Sequence, residues 1–141
     1  TKNDFHHRSL ASLKTMADFN KEENADPHLN GTILGAALWD IRKELSKHDA
    51  EGVEKTDMLV LKSLLLIGRL QDSDYRPSRK GTCKCRSGFS LMLTAMLEAD
   101  RILYHDDHKE IIHYCFSNRG INPEISPPFP SSTGFCAISV M

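Results

Sequence analysis

The chain has 141 residues, of which 40% are hydrophobic and 26% charged, and its formal net charge is −1. This composition is typical of a single globular domain that buries an apolar core. The balanced charge excludes a strongly basic nucleic-acid binder or a polybasic membrane anchor. Apolar runs such as residues 64–67 are far shorter than the ~20 residues of a membrane span, so we expect no membrane-spanning helix. The chain starts at Thr1 without a signal-peptide pattern, and we expect it to be a processed chain or a piece of a longer one.

The first part of the sequence predicts two helices separated by a loop. Residues 4–19 place apolar side chains near helical spacing and predict the first helix. Residues 20–30 are polar, contain Pro27 and predict a loop. From Thr32 onward apolar residues recur at helical spacing, which predicts a second helix with Asn30 as its N-cap.

The middle of the sequence predicts two further helices around an open loop. One helix begins at Thr56 or Asp57 and ends near residues 68–70. Its broad apolar arc predicts that it is central and buried. A loop follows over residues 71–86, and the next helix begins after Ser87, which we expect to be its N-cap.

The last helix and a tail complete the predicted architecture. Asp106 and Asp107 open the helix, where acidic side chains favour the positive end of its dipole, and Gly120 ends it in a left-handed cap. The prolines of residues 121–141 predict an extended tail. We therefore expect an all-α domain over residues 1–120, an orthogonal bundle of about five helices, followed by this proline-rich tail.

The four cysteines allow more than one chemistry. Cys83 and Cys85 are too close in sequence for an unstrained bridge to each other, so a disulfide would join one of them to Cys115 or Cys136. The alternative is free, partly buried thiols. A structural zinc site built from the close pair with Cys115 and His113 is a third, weaker alternative.

His28 is the side chain that best fits a catalytic role. It precedes a helix whose first turns, residues 31–37, are rich in glycine and alanine. We therefore expect an imidazole that is rigidly held and open to a cleft, where it can donate a hydrogen bond to a developing negative charge. The alternative is a histidine that bonds a neighbouring carbonyl, with Trp39, the only tryptophan, as a core residue.

Two segments of the sequence form a longer pattern. The first consists of His28, Gly31 and the run ALWDIR at residues 37–42. The second consists of AMLEADRILY at residues 95–104 and HYCFSNRG at residues 113–120. In sequence, order and rough spacing, the two segments resemble the helical half that follows the zinc site in metallopeptidases of the thermolysin and fungalysin type.

The resemblance implies a specific role for this chain. His28 would hydrogen-bond the oxyanion of the tetrahedral intermediate, with Asp26 as the candidate that orients its ring. The intact enzyme would need zinc, but the HExxH motif of such peptidases is absent here, so no metal ligand is assigned to this chain. We therefore expect the C-terminal helical subdomain of a secreted or cell-envelope zinc metalloendopeptidase, which forms a wall of the substrate cleft and is inactive alone. Its partners would be the missing N-terminal half of the peptidase domain and a peptide or protein substrate, with no nucleic acid.

A rival hypothesis places the chain in another class. The same helices would form a non-catalytic module that binds a protein partner. The subdomain hypothesis adds one structural expectation, because half of a domain should expose an apolar face where its missing part docks. We expect that face around Leu29, Ile33 and Ala37.

Overall fold

The computed structural model describes residues 9–22, 24–72 and 85–123, and α-helices account for most of them. They are α1 (Pro27–His48), α2 (Gly52–Asp72), α3 (Cys85–Tyr104) and α4 (Lys109–Asn118), preceded by a 3₁₀ turn at Met16–Asp18. No strand occurs in the described ranges, so the all-α prediction is confirmed, with four helices where about five were expected. Helix α2 packs against α1 and α3, and α1 also packs against α4.

Helix α1 begins earlier than predicted. Asp26 is its N-cap, and the Asp26 carboxylate accepts a hydrogen bond from the His28 backbone N–H at 2.8 Å. Pro27 is the first helical residue, where its fixed φ suits the helix and its missing N–H costs nothing. The prediction that Asn30 caps this helix is wrong. Asn30 is buried in the first turns, and its side chain bonds the backbone N–H and carbonyl of Asn20 at 2.9 and 2.8 Å.

A tight turn joins α1 to α2 and starts α2 four residues before the predicted Thr56. Asp49 ends α1, and its carboxylate accepts a hydrogen bond from the Glu51 backbone N–H at 2.8 Å. Gly52 is buried against the last turn of α1, where a Cβ atom would collide with the backbone of Leu45 and Ser46. The absence of a side chain at Gly52 therefore allows the two helices to approach closely at this corner.

Helix α2 is only half buried, and the prediction of a central, buried helix is wrong. Leu59 is fully buried, and Val60, Leu66 and Ile67 pack partly against the core. The leucines on the opposite side of the helix face solvent. The exposed fractions of the largest apolar side chains on that side are 47% for Met58, 53% for Leu61, 55% for Leu64 and 58% for Leu65.

One apolar core holds the four helices together. Its centre is formed by fully buried side chains of all four helices, and each such aliphatic or aromatic side chain contributes roughly 1.5–3 kcal/mol. The Phe19 and Phe89 rings meet edge to face, with centroids 6.0 Å apart, and join the N-terminal segment to α3. The core residues are Phe19, Ile33, Ala37, Ile41, Leu45, Leu59, Phe89, Met92, Leu93, Met96, Ala99, Ile112, Cys115, Phe116 and Ile121.

The N-terminal segment is not the predicted helix over its described part. Residues 9–15 are not helical, and only the 3₁₀ turn Met16–Asp18 follows. Thr15 and Asp18 form a capping box around this turn. The Met16 backbone N–H donates to the Arg119 carbonyl at 2.8 Å, so the segment bonds the end of α4 instead of its own next turn. Residues 1–8 of the predicted helix lie outside the described residues.

The last two helices meet at a tight turn. His105 and Asp106 adopt positive φ angles of 57° and 67°, and α4 begins only after His108, its N-cap. Asp106 and Asp107 therefore lie in the turn and do not open the helix. The predicted helix end is confirmed, because Gly120 has a φ of 73° and its N–H donates to the Ser117 carbonyl at 2.8 Å.

Two predicted segments fall largely outside the described residues. Helix α2 extends to Asp72 and α3 begins at Cys85, so the first two and last two residues of the predicted loop are helical, and Ser87 lies inside α3 instead of capping it. Residues 73–84 and 124–141 lie outside the described residues. The described start of the predicted tail, residues 121–123, is not helical, and Ile121 packs into the core.

Candidate functional site

His28 lies at the second position of α1 with its imidazole exposed. The first turn that carries it is fixed by the Asp26 cap and by Pro27. The hydrogen bond between Asp26 and His28 runs to the backbone N–H of His28, so Asp26 positions this residue through the helix cap. The expected contact was between the Asp26 carboxylate and the His28 imidazole. The observed contact is between the same carboxylate and the His28 backbone N–H.

One face of α1 runs from His28 toward the middle of the helix. At about 100° per residue, Gly31, Gly35 and Trp39 fall within about 60° of His28 around the helix axis. A Cβ atom at Gly31 would meet nothing within 4 Å, so the surface beside His28 is open. Farther along, the Leu10 side chain lies over Gly35.

A pocket of about 330 Å³ lies between α1 and α2 on this side of α1. Its walls are mostly apolar, and Arg42 and Asp57 form an ion pair in its lining at 3.3 Å. The Arg42 guanidinium lies 5.8 Å from the Trp39 ring centroid, a distance that allows a cation–π contact. The other lining residues are Leu10, Gly35, Leu38, Trp39, Thr56 and Val60.

Trp39 therefore lines a pocket and does not belong to the central core. Its ring is partly exposed, and it separates the open surface at His28 from the ion pair at the far end. Arg42 Nε is buried and has no hydrogen-bond partner within the described part of the chain. An unpaired buried N–H costs about 1–3 kcal/mol, so a ligand oxygen that reached it would be stabilised.

The prediction of an exposed apolar docking face at the start of α1 is wrong. Ile33 and Ala37 are fully buried in the domain's own core, and Leu29 is partly buried. The reason is that Ile33 and Ala37 lie on the side of α1 opposite to His28 and Trp39. A large exposed apolar face does exist, on α2 instead of α1, and consists of Met58, Leu61, Leu64 and Leu65.

Arg119 forms the most extensive polar cluster in the described part of the chain, and the sequence reasoning assigned it no role. Its Nε and Nη2 atoms bond one carboxylate oxygen of Asp40 at 2.8 and 2.6 Å. Its Nη1 atom donates to the carbonyls of Ser12 and Lys14 at 2.7 and 2.9 Å. Asp40 lies in α1 and Arg119 at the end of α4, so their ion pair joins these two helices.

A second buried pair joins α3 to the turn before α4. Asp100 is fully buried and accepts two hydrogen bonds from His108, from its backbone N–H at 3.0 Å and from Nδ1 at 2.8 Å. The Tyr104 ring packs edge to face on the His108 ring, with centroids 5.0 Å apart. Burial raises the pKa of the Tyr104 hydroxyl, and the nearby Lys55 opposes that shift. The pair fixes the turn and leaves His108 mostly buried.

The described residues contain no group of three or more His, Cys, Asp or Glu side chains that could hold a metal ion. Cys115 is a free, buried thiol, which contradicts its pairing with Cys83 or Cys85 and supports the free-thiol alternative at this position. Cys83 and Cys136 lie outside the described residues. The structural zinc alternative therefore loses Cys115 as an accessible ligand.

Cys115 is expected to resist alkylation in the folded chain. Burial, together with the negative charges of Asp40 and Glu44, raises the pKa of its thiol to about 12. At pH 8 the thiolate fraction is then about 10³-fold lower than for a free thiol, and burial slows access further. Iodoacetamide labelling followed by peptide mass mapping should modify Cys115 only in denaturant. Rapid labelling of native Cys115 would contradict its burial.

The raised thiol pKa also predicts the direction of a pH effect on stability. The unfolded thiol loses its proton near pH 9, before the folded one does. Cys115 therefore lowers the free energy of unfolding as the pH rises from about 9 toward 12, and has no such effect below that range.

The comparisons with known proteins leave the site to be interpreted from its own geometry. No protein-family model matches the chain. Neither the curated proteins nor the solved structures gave a significant match. In the portions of the chain that the structure describes, no helix is long and apolar enough to cross a membrane.

Proposed function

We propose that this chain is the C-terminal helical subdomain of a secreted or cell-envelope zinc metalloendopeptidase. It forms one wall of the substrate cleft, supplies the His28 imidazole to the transition state and is inactive alone. The observation that supports this most is the position of His28, exposed at the start of α1 on a turn fixed by Asp26 and Pro27.

The chemistry expected of His28 is electrostatic. When a peptide carbonyl is attacked, its oxygen gains negative charge, and an imidazole N–H held at hydrogen-bond distance stabilises that charge. The stabilisation requires a donor that does not have to reorganise. The Asp26 cap and the helical backbone restrict the position of the His28 backbone from which the imidazole projects.

The pocket beside Trp39 supports a cleft along α1. Trp39 follows His28 by about 16 Å along the helix axis, which an extended peptide covers in about five residues. A substrate could therefore place its reacting carbonyl near His28 and an apolar side chain in the pocket of about 330 Å³. The exposed surface at Gly31 leaves room for the backbone between them.

In this proposal the zinc ion is bound by the missing N-terminal half of the peptidase domain and not by this chain. The described residues do not bring together three metal-ligating side chains, so they do not fit a zinc ion, and we derive no step through the metal. The role of this chain is limited to binding the substrate and donating a hydrogen bond to it.

The test is peptide hydrolysis by the complete gene product. We expect the coding sequence upstream of Thr1 to contain HExxH, and the complete protein to cleave a quenched fluorescent peptide library. The 141-residue chain alone should show no cleavage, once circular dichroism has shown that it is folded. The peptidase proposal would be contradicted by a complete protein that lacks the zinc-binding motif, or by one that binds zinc and cleaves no peptide.

A protein-binding module remains the second candidate because of the exposed face of α2. Four large apolar side chains, each about half exposed, cover one side of this helix. Contiguous apolar surface of this kind marks interaction sites more often than scattered single residues do. A complete protein without peptidase activity that still associates through α2 would favour this candidate.

A further inference from the structure

The pocket between α1 and α2 is elongated, with an apolar end and a charged end, and we call it the α1 groove. Its wall on α1 runs from Gly35 to Arg42, a length of about 10 Å. Leu38 and Trp39 lie between them on the same side of the helix. The Leu10 side chain lies over Gly35 at one end, and Arg42 stands at the opposite end. The groove volume of about 330 Å³ suits a small ligand.

Apolar side chains form the body of the α1 groove. A short turn joins the two helices, so they run antiparallel, and Val60 of α2 lies across from Leu38 of α1. Leu38 and Val60 also pack against the core, which holds these walls in place. Thr56 lines the groove as well, but it is buried and its hydroxyl already donates to the Gly52 carbonyl at 2.7 Å. The middle of the groove therefore favours a hydrocarbon chain, whose burial releases water from these walls.

Arg42 is the inner charge of the α1 groove and Asp57 is the outer one. The side chain of Arg42 is 35% exposed, and that of Asp57 is 63% exposed. Among the described residues, the 3.3 Å bond from Nη2 to Asp57 is the one hydrogen bond of the Arg42 side chain, although a guanidinium carries several N–H donors. A guanidinium pairs best with a carboxylate that accepts two parallel hydrogen bonds. Since exposed ion pairs contribute little, a ligand carboxylate can replace Asp57 at little cost.

We propose that the α1 groove binds a straight-chain carboxylate of about eight carbons, whose extended length matches that of the groove. The methyl end of the chain points toward Leu10, its middle contacts Trp39, and its carboxylate pairs with the Arg42 guanidinium. This inference does not depend on the peptidase proposal, because it concerns binding by the 141-residue chain alone. In the proposed peptidase, the same ligand would exclude an apolar substrate side chain from the groove.

The first experiment titrates the chain with octanoate and follows tryptophan emission. Trp39 is the only tryptophan, so its emission reports the α1 groove directly. Octanoate should shift the emission to shorter wavelength with a Kd of roughly 0.1–1 mM, as expected for a ligand of this size. Octanamide, which has the same chain but no charge, should bind about tenfold more weakly. Hexanoate should also bind about tenfold more weakly, because it buries two fewer CH₂ groups. Unchanged emission up to ~10 mM octanoate would overturn the proposal.

The second experiment tests the two charges of the α1 groove. Arg42→Met keeps much of the side-chain volume, and it should lower octanoate affinity to that of octanamide without changing octanamide binding. Asp57→Asn removes the competing anion and should raise octanoate affinity about threefold. Lys47→Met is the matched control, because it removes an exposed cation of α1 outside the groove and should leave octanoate binding unchanged.

Circular dichroism should show unchanged helix content in the three variants. An Arg42→Met chain that still prefers octanoate to octanamide would overturn the pairing of the carboxylate with Arg42. Phenylpropionate provides a further comparison, since it carries the same carboxylate on an aromatic ring. Tighter binding of phenylpropionate than of octanoate would overturn the assignment of a straight chain.

Discussion

In the complete form of the proposed peptidase, replacement of His28 by alanine is expected to lower kcat by roughly 10²–10³-fold with little change in KM. The physical reason is that the imidazole N–H contacts the carbonyl oxygen most strongly when that oxygen carries a negative charge. The substitution removes an exposed side chain, and the backbone N–H of residue 28 still donates to Asp26, so the start of α1 should persist. Steady-state kinetics with one cleaved peptide measures both constants.

The control for this prediction lies on the same helix. His48 is the last residue of α1 and, like His28, is exposed. His48→Ala therefore removes the same chemical group from the opposite end, about 30 Å away along the axis, and should leave kcat unchanged. Zinc content and helix content should match wild type in both variants. An unchanged kcat for His28→Ala would exclude this residue from the reaction.

Replacement of Arg119 by methionine is expected to lower the free energy of unfolding by about 2–4 kcal/mol. Methionine keeps much of the packing volume but loses every hydrogen bond of the guanidinium. Asp40, whose side chain is 19% exposed, would then keep only its ion pair with Lys43 at 3.0 Å. The carbonyls of Ser12 and Lys14 would lose their donor as well. Urea unfolding followed by circular dichroism measures the change.

Two further variants show whether the loss comes from the geometry of this cluster. Arg119→Lys keeps the charge but cannot reach all the oxygens at once, so its stability should fall between wild type and Arg119→Met. Lys47→Met removes an exposed ion pair with Glu44 from the surface of α1 and should change stability little. If Arg119→Met cost no more than Lys47→Met, the cluster would not be a stabilising element.

The parts of the fold that local sequence determines were the parts predicted correctly. The end of α4 depends on one glycine in a left-handed conformation, and Gly120 has that conformation. The absence of strands from the described ranges depends on the helical spacing of apolar residues, which α1, α3 and α4 satisfy. Both features depend on contacts between residues a few positions apart, so a local sequence pattern can predict them.

The errors arose where distant residues compete with local pattern. Residues 9–19 have helical spacing, yet their backbone bonds Arg119, which is about a hundred residues away in sequence. Asn30 has a residue type that favours the N-cap, but its side chain bonds the backbone of Asn20 instead, and the true cap is Asp26, directly before a proline. The broad apolar arc of α2 was taken for a buried helix because periodicity does not distinguish a core face from an exposed one.

The candidate site was predictable in part. His28 and Asp26 were identified from the residues and the resemblance, and the structure places them at one helix start. The pocket was not predicted, because it requires Leu10, Trp39 and Val60 from three separate segments. The Asp100–His108 pair was missed for a similar reason, since the left-handed turn that folds His108 back has no glycine to mark it.

The contacts of Arg119 have a consequence for how the domain assembles. They close a chain loop of 107 residues between Ser12 and Arg119, so the N-terminal segment can attach only after α1 and the end of α4 have come together. Because this closure joins residues far apart in sequence, we expect it to form late in folding and to open early in unfolding. Since Leu10 belongs to the same segment and covers Gly35, release of the segment would uncover the α1 groove before the helices separate. Access to the groove is thus linked to the attachment of the first described residues.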